Sequence, residues 1–309
     1  MAQPKKIPLV VLCGPTGGGK TALALRLARH WPLEVLSADS RQVFRGMDIG
    51  TAKASPAEQA LVPHHLLDVV DPDEEFSAAD FAVRGRALVD DIAGRGRRPW
   101  VVGGTGFYIR ALTEGLLDAP SGNEDLRRRW HALAEEQGPM ALWERLRQVD
   151  PLAAERIHPN NLVRVVRALE VFTLTGRPIS ELQQSHGFED RPYALLKLGI
   201  MPPRDELFQR IDQRVDAMVQ EGLFEEVNAL LARGYDASLK SMRTLGYREM
   251  IACLRGEISR EEALELVKLH TRQYAKRQLT WFQKDPEIIW VDSLREFATI
   301  QQLIENFYS

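Results

Sequence analysis

A glycine-rich loop near the start of the chain constrains the fold more than any other feature. The segment Gly14-Pro15-Thr16-Gly17-Gly18-Gly19-Lys20-Thr21 matches G-x-x-x-x-G-K-[ST], a pattern whose backbone N–H groups converge on a chain of phosphates. The apolar run Ile7–Cys13 precedes this loop, and a helical pattern over 21–30 follows it. A buried strand, a phosphate loop and a helix open a parallel α/β sheet. The loop is therefore expected to bind a di- or triphosphate, with Lys20 as a mobile cation and Thr21 as a Mg²⁺ ligand.

Strands and helices continue to alternate up to about residue 117, which predicts a doubly wound parallel sheet with ligands at the carboxyl ends of its strands. A capping box of Ser77 and Asp80 marks one helix start. The segments with these patterns are the strands Leu33–Ala38 and 100–102 and the helices 78–94 and 107–117.

From about residue 118 the periodicity becomes helical throughout. Residues 124–185 contain no convincing strand, and Asn160 or Asn161 is expected to cap one of the helices. A strand at 194–201 returns to the sheet, followed by helical patterns at 205–233, 241–254 and 259–284 and a last strand at 288–291. We therefore expect a first part of an α/β core at 1–117, an all-helical insertion at 118–190 and a second, largely helical part of the core at 191–309.

Composition excludes several classes of protein. The chain has 309 residues, a formal net charge of −3 and two cysteines, Cys13 and Cys253. These cysteines provide neither a disulfide framework nor a zinc site, and the apolar runs are far shorter than the roughly 18 residues of a membrane span. We expect a cytoplasmic protein without a membrane anchor, and a monomer.

Positive charge is concentrated locally although the net charge is negative. Residues 267–284 contain lysines and arginines, no acid, and the aromatic residues Tyr274, Trp281 and Phe282. Cations pair with RNA phosphates and aromatic rings stack on unpaired bases, so this segment suits RNA. A solvated helix face with its aromatic rings in the core is the alternative interpretation.

Chemistry at a phosphate loop also needs a carboxylate at the end of a strand. Asp39, Asp71 and Asp292 each follow an apolar run. Asp292 suits a helix cap, whereas Asp39 follows the second strand at the edge where the phosphate loop must lie. Asp39 is therefore the strongest candidate, with a capping role as its alternative. A second glycine loop, Gly103-Gly104-Thr105-Gly106, can bring Thr105 to the same ligand, or it is only a tight turn.

Longer segments, in order from about residue 7 to residue 284, resemble the tRNA dimethylallyltransferases, also called tRNA isopentenyltransferases. Two departures from the family pattern are Gly17-Gly18 in place of the commoner Ala-Ser, and Phe44 in place of the commoner Tyr. The zinc finger of eukaryotic relatives is absent. The matching segments are GPTGGGKT at 14–21, ADSRQVFRGMDIGTAK at 38–53, PHHLLD at 63–68, GGTGFYI at 103–109, HPNNLVRVVRALEV at 158–171, Arg210-x-x-x-Arg214, Leu245-Gly246-Tyr247 and QYAKRQLTWF at 273–282.

The resemblance implies an enzyme that moves a dimethylallyl group from dimethylallyl diphosphate to the exocyclic amine of the adenine 3′ of the anticodon in tRNA. It implies Asp39, Thr105 and Arg210 as catalytic residues, with Asp39 taking the amine proton. Lys20 and Thr21 with Mg²⁺ would stabilise the leaving diphosphate. The stacked adenine must be flipped out of the anticodon stem-loop to react.

The resemblance also places the tRNA contacts. The insertion as a whole is not basic, so we expect RNA on one face only, and a partner-free helical lid is the alternative. The contacts are Asp39, Ser40, Arg41, Gln42, Thr105, Arg127, Val163, Arg164, Val165, Val166, Arg167, Arg243, Thr244, Leu245, Gly246, Tyr247, Arg248, Lys276, Arg277 and Lys284.

Two other functions are compatible with the phosphate loop alone. One is a small-molecule kinase that uses ATP, and the other is a nucleotide-gated RNA-binding protein without transfer chemistry. The basic, aromatic C-terminal segment argues against the first, and Asp39 with the Thr105 loop argues against the second.

Overall fold

The computed structural model describes residues 6–117, 119–120, 122–186 and 190–309. Residue 118, where the predicted insertion begins, lies outside this range. Within the described residues, six strands form one parallel sheet in the order β3-β2-β4-β1-β5-β6. The strands are β1 (Ile7–Cys13), β2 (Leu33–Ala38), β3 (His64–His65), β4 (Arg98–Gly103), β5 (Tyr193–Ile200) and β6 (Ile288–Val291). The expected α/β fold with a parallel sheet is confirmed.

Helices follow most of the strands, and some of them begin at a residue whose side chain caps the helix. The Ser77 hydroxyl accepts the Asp80 N–H, and the Asp80 carboxylate accepts the Ser77 N–H, so the predicted capping box is present. The helices are α1 (Lys20–Leu27), α2 (Pro56–Leu61), α3 (Ala78–Gly94), α4 (Gly106–Glu114), α5 (Glu124–Gln137), α6 (Pro139–Val149), α7 (Pro151–Arg156), α8 (Leu162–Thr175), α9 (Ile179–His186), α10 (Arg204–Gln220), α11 (Leu223–Ala232), α12 (Tyr247–Leu254), α13 (Arg260–Phe282) and α14 (Phe297–Tyr308).

Several predicted boundaries are wrong for identifiable reasons. The helical pattern over 205–233 is two helices, because Gly222 adopts φ 104° and ends the regular hydrogen bonding between α10 and α11. Asn161 stands at the start of α8, but its side chain makes no capping hydrogen bond. Asp292 accepts the N–H groups of Leu294 and Arg295 and so closes a turn rather than capping α14.

The chain divides into two compact units. One contains Met1–Thr113 and Arg191–Ser309, and the other contains Glu114–Asp190. The first unit is built on the sheet, where the central strands β1 and β4 bury side chains such as Leu12 and Trp100 completely. The second unit has its own core, in which Leu142 and Leu146 of α6 pack with Val165 of α8.

Strand β2 is buried along its whole length, including one charged residue. Glu34 receives hydrogen bonds from Arg95 Nη1 at 2.6 Å and lies 2.7 Å from His65 Nε2 on β3. The bond from Arg95 is the main cause that lowers the pKa of Glu34 to about 2. The matched motif around His65 therefore helps to attach the edge strand β3 to β2.

No helix among the described residues combines the length and the apolar character needed to cross a membrane.

Candidate active site

The phosphate loop follows β1 with the backbone geometry that its glycines permit. Gly14, Gly17 and Gly19 have φ values of 138°, 76° and 89°, which side chains with a Cβ rarely adopt. A Cβ at Gly14 would lie 2.5 Å from the carbonyl oxygen of Ile200, and one at Gly17 would lie 2.9 Å from Ile211. Glycine at position 17, one of the departures from the family pattern, therefore suits both the conformation and the close packing of this loop.

Lys20 lies inside the curve of the loop. Its Nζ donates to the carbonyl oxygens of Gly14 at 3.0 Å and Pro15 at 2.7 Å. Burial, together with the positive charge of Arg214, lowers the pKa of Lys20 to about 8, and the charge of Asp39 opposes this shift. A buried ammonium group of this kind gains most from an anion placed beside it.

The Thr105 loop follows β4 and is hydrogen-bonded to the end of β2. The backbone N–H of Thr105 donates to the carbonyl of Ala38, and its hydroxyl oxygen accepts the N–H of Ser40, both at 3.0 Å. Between these bonds, the Asp39 carboxylate accepts the N–H of Arg41 at 2.8 Å. Thr105 is thus hydrogen-bonded to the residues on both sides of Asp39, at the carboxyl edge of the sheet.

Asp39 lies where a small cavity meets a larger one. The first cavity, of about 150 Å³, is lined by the phosphate loop, Asp39, Gly103, Gly104 and Gln278. The second cavity, of about 420 Å³, is lined by Asp39, by α10 and α13, and by residues 243–248. Thr16, Asp39 and Arg214 line both cavities. The arrangement can hold a phosphate group and a second ligand on opposite sides of one carboxylate.

The larger cavity combines cationic and apolar surfaces. Tyr274 of α13 lines this cavity, and burial together with the charge of Asp39 raises the pKa of its hydroxyl to about 12. The tyrosine therefore stays a neutral donor at physiological pH. The cationic lining residues are Arg41, Arg214, Arg243, Arg248 and Arg277, and the apolar ones are Ile211, Val215, Met218, Leu223, Leu245 and Val267.

The two arginines of the Arg-x-x-x-Arg motif lie one turn apart on α10. Arg210 Nη2 is 3.3 Å from the Glu206 carboxylate, and a Cβ at Gly19 would lie 4.0 Å from Arg210 Nη1. Arg214 lines both cavities, and burial lowers its pKa although Asp39 opposes this effect. Arg214 is a site residue beyond those predicted from the sequence, although the i, i+4 spacing places both arginines on one helix face.

Some residues predicted to contact RNA are engaged within the protein. The Gln42 amide accepts from Ser37 Oγ at 2.8 Å and donates to the carbonyls of Thr51 and Ala52 at 3.1 Å. Phe44 is buried, so the hydroxyl of the commoner Tyr would stand in the core. For Gln42, contact with a base stays a prediction beside an observed structural role.

Tyr247 is fully buried at the start of α12. Its hydroxyl donates to the Glu226 carboxylate at 2.6 Å, and Glu226 also accepts the backbone N–H groups of residues 48–50 at 2.7 to 3.1 Å. Glu226 therefore fixes the loop whose Gly50 and Thr51 line the larger cavity. A contact between Tyr247 and RNA, as predicted, would require the hydrogen bonds around Glu226 to break.

The matched motif of α8 has a buried and an exposed side. Val165 and Val166 lie in the core of the helical unit, whereas Val163 is 74% exposed and Arg164 is also exposed. Two further arginines predicted to contact RNA, Arg127 on α5 and Arg167 on α8, both bind the buried carboxylate of Glu170. Val163 and Arg164 are the residues of this motif that offer their side chains to a partner.

The other basic residues predicted to contact RNA line the larger cavity or lie on or just after α13. Arg243 is exposed and donates to the carbonyl of Ala237, while Arg248 pairs with Glu249 at 2.6 Å. Thr244 and Gly246, which lie between these two arginines in the sequence, also line the larger cavity. The side chains of Lys276, Arg277 and Lys284 are exposed.

The parallel sheet, the phosphate loop after β1 and the cavities that meet at Asp39 define a phosphate-loop α/β protein with room for a second substrate. The family model described as IPP transferase matches residues 42–285. The chain belongs to this family, the tRNA dimethylallyltransferases, as its motifs predicted. This match starts after the phosphate loop, whereas the relative from Geobacter metallireducens described below is aligned over 100% of this chain.

Curated relatives and solved structures agree with this assignment. The tRNA dimethylallyltransferase of Geobacter metallireducens is 53% identical over 308 residues, which is 100% of both chains. The full-length tRNA isopentenylpyrophosphate transferase of Bacillus halodurans is 42% identical, with a TM-score of 0.71 over 98% of this chain and 95% of that one. A eukaryotic dimethylallyltransferase acting on tRNA is 32% identical, with a TM-score of 0.80 over 94% of this chain and 74% of that one. The assignment argues against the ATP-dependent kinase and the gated RNA-binding protein.

Proposed function

We propose that this protein transfers a dimethylallyl group from dimethylallyl diphosphate to the exocyclic amine of the adenine 3′ of the anticodon in tRNA, with release of diphosphate. The observation that carries the proposal is the position of Asp39. It lies between the phosphate-loop cavity and the arginine-lined cavity, in a chain 53% identical along its full length to a tRNA dimethylallyltransferase.

The donor binds through its diphosphate. Lys20, Arg210 and Arg214 are grouped around the phosphate loop and supply positive charge to the phosphate oxygens. Burial of the five-carbon tail contributes at most about 4 kcal/mol, at roughly 0.8 kcal/mol per carbon. Most of the donor's affinity must therefore come from the loop amides and these cations.

A Mg²⁺ ion fits this site only with the help of the donor. Among the residues that the structure describes, no group of three or more His, Cys, Asp and Glu side chains could hold a metal ion. Thr21 lines the first cavity, and in phosphate loops this residue ligates Mg²⁺ together with phosphate oxygens. When bound there, the ion would neutralise charge on the leaving diphosphate.

The acceptor adenine enters the larger cavity after it leaves the anticodon stack. Its exocyclic nitrogen is a poor nucleophile, because its lone pair is delocalised into the ring, and Asp39 orients the amine and takes its proton. The nitrogen forms a bond to C1 of the dimethylallyl group while the bond from C1 to the diphosphate oxygen breaks. The diphosphate leaves with the electron pair, and Lys20, Arg210 and Arg214 stabilise its charge, while Thr105 keeps the Asp39 turn in place.

The anticodon stem-loop lies against the basic residues around the larger cavity. Arg41, Arg243, Arg248 and Arg277 line this cavity, so they can contact the phosphates nearest to the flipped base. We assign further contacts to the helical insertion, residues 118–190, through the exposed Val163 and Arg164, and to the exposed Lys276 and Lys284. Ser40 and Gln42 stay assigned to the vicinity of the flipped base.

We further propose that the enzyme works as a monomer in the cytoplasm. The proposed tRNA substrate sets the compartment.

The test is mass spectrometry of unmodified tRNA after incubation with the protein, Mg²⁺ and dimethylallyl diphosphate, with ATP replacing the donor in a parallel reaction. We expect a mass gain of one dimethylallyl group on the adenine beside the anticodon in the first reaction alone. Release of phosphate from ATP without any prenyl transfer would favour the kinase. Tight tRNA binding without either reaction would favour the RNA-binding protein.

A further inference from the structure

We infer that Gln278 is a positioning residue that holds the phosphate loop in register with the second glycine loop, and that it thereby determines how tightly the donor diphosphate is bound. The inference rests on the proposed function, since that function supplies the donor. Gln278 belongs to α13, and it was given no role by the sequence analysis.

The side-chain amide of Gln278 joins two loops that are far apart in sequence. Its Oε1 accepts the backbone N–H of Thr16 at 2.8 Å, and its Nε2 donates to the carbonyl of Gly104 at 2.9 Å. Gln278 is only 6% exposed. A buried amide with both ends bonded to backbone fixes the two loops relative to each other, because losing either bond leaves a buried polar group unpaired.

The packing at the second glycine loop also supports a close contact between this loop and α13. A Cβ at Gly104 would overlap Gln278 Nε2, and a Cβ at Gly106 would overlap the indole nitrogen of Trp281, one turn further along α13. Both glycines therefore allow α13 to approach the loop closely. Gly103, the first glycine of this loop, instead packs against the backbone of Ala38.

The position of Gln278 makes its effect specific to the donor. It lines the first cavity, beside the phosphate loop and Asp39. The larger cavity is lined from the same helix by Tyr274 and Arg277, and Gln278 contacts it through a side-chain hydrogen bond with Tyr274. Loss of the Gln278 bonds should therefore disturb the loop amides that bind diphosphate more than the surfaces assigned to RNA.

The experiment compares Gln278→Met, Gln278→Glu and the wild type. Methionine has a similar length but cannot form either bond, and we expect it to raise the KM for dimethylallyl diphosphate about tenfold with a much smaller change in the KM for tRNA. Glutamate can accept from Thr16, but it can donate to Gly104 only when protonated. The kcat/KM of Gln278→Glu for the donor should therefore rise relative to the wild type as the pH falls from about 8 to about 5.5.

Matched controls are Gln273→Met and Gln273→Glu, since Gln273 is an exposed residue of the same helix. Both should keep wild-type constants and a wild-type pH profile. Wild-type donor constants in Gln278→Met would overturn the inference. A defect in Gln278→Glu alone would also overturn it, because charge repulsion of the diphosphate would then be the cause.

A binding measurement separates this inference from the proposed function. Calorimetric titration with inorganic diphosphate needs neither tRNA nor transfer, and we expect weaker binding to Gln278→Met and binding restored at low pH in Gln278→Glu. If the wild type transferred no prenyl group and these binding changes were present, the proposed function would fail and the inference would stand. If the wild type were active and binding were unchanged, the inference alone would fail. Circular dichroism of each variant verifies folding. If Gln278→Met does not fold, Gln278→Asn, an uncharged amide too short to reach both loops, should still weaken diphosphate binding, and wild-type binding in this variant would overturn the inference.

Discussion

At the scale of single residues, the site places one carboxylate among several buried or half-buried cations. Asp39 shares its surroundings with Lys20, Arg214 and the Tyr274 hydroxyl, and its charge influences the pKa of each of them. A charge that shifts the pKa values of several neighbouring groups is typical of a functional site. Individual substitutions can therefore separate the chemical step from the binding of either substrate.

Replacing Asp39 by Asn should lower the rate of the chemical step by about 10²–10⁴, the range for a positioned acid or base. Single-turnover measurements with enzyme in excess over tRNA report that step directly. Asp71→Asn is the matched control, because Asp71 was the other candidate in the first third of the chain and pairs with Arg45 at the surface. Nearly equal rates for Asp39→Asn and the wild type would leave Asp39 with a turn-closing role only.

The ammonium group of Lys20 should make donor binding depend on pH. Burial lowers its pKa to about 8, so the cation is present below that pH and is lost above it. We expect kcat/KM for dimethylallyl diphosphate, which reports the free enzyme, to fall as the pH rises through about 8. In Lys20→Arg this decline should disappear, since guanidinium stays charged. A decline retained in Lys20→Arg would assign the titration to another group.

At the scale of elements, strand β2 and helix α8 show how polar residues combine stability with function. β2 ends at Ala38, directly before Asp39, and contains the buried Glu34, which binds Arg95 and His65. α8 turns Val165 and Val166 into the core and leaves Val163 and Arg164 at the surface. Each of these elements thus contains residues whose substitution should lower the stability of the fold and residues whose substitution should affect only function.

Glu34→Gln should destabilise the folded protein by about 1 to 3 kcal/mol, because the buried carboxylate that binds Arg95, Arg97 and His65 is lost. The pKa of Glu34 lies near 2 in the folded protein, below its ordinary value of 4.5. Its contribution to stability is therefore complete above pH 4.5 and is lost as the pH falls toward 2. Denaturant unfolding of both proteins at pH 7 and at pH 3 should show a smaller difference at pH 3. A constant difference would assign the loss to packing.

Arg164→Ala should weaken binding to all anticodon stem-loops alike, because a phosphate contact positions RNA without reading its sequence. The slope of log affinity against log salt should become shallower by about 0.7 to 0.9. Arg177→Ala is the control, since Arg177 pairs with Glu181 at the surface. Arg167 is a poor choice, because its guanidinium binds the buried Glu170. Equal slopes for Arg164→Ala and the wild type would leave the helical unit as a lid.

At the scale of the whole molecule, the sheet brings the ends of β1, β2 and β4 together. β4 lies between β2 and β1 in the sheet, so the phosphate loop, the Asp39 turn and the Thr105 loop emerge side by side at one edge. Parallel strands produce this convergence, because all their carboxyl ends face one way. Helices α10 and α13 then complete the cavities with residues from the other end of the chain.

Diphosphate with Mg²⁺ should stabilise the folded protein against heat. A ligand that binds only the folded state at 100 times its Kd contributes about 2.7 kcal/mol, which for a chain of this size corresponds to a few degrees in Tm. Differential scanning calorimetry measures the shift, and Lys20→Ala should reduce it strongly. An equal shift in Lys20→Ala would locate the diphosphate outside the phosphate loop.

Short-range patterns in the sequence determined the phosphate loop, the strands β1 and β2, the capping box at Ser77 and the candidacy of Asp39. Each of these depends on residues that are neighbours in the chain, so local composition and spacing contain the information. The family resemblance added Arg210 and the surfaces assigned to RNA.

Only the tertiary structure decided which side chains meet. Gln278 reaches Thr16 across 262 positions of sequence, and the buried Tyr247 donates its hydroxyl hydrogen bond to Glu226 on a different helix. Periodicity cannot reveal such pairs, since it reports which face of an element is buried and not what lies against it. The cavities that meet at Asp39 are likewise a product of packing between distant segments, and they exist only once the sheet and the helices have come together.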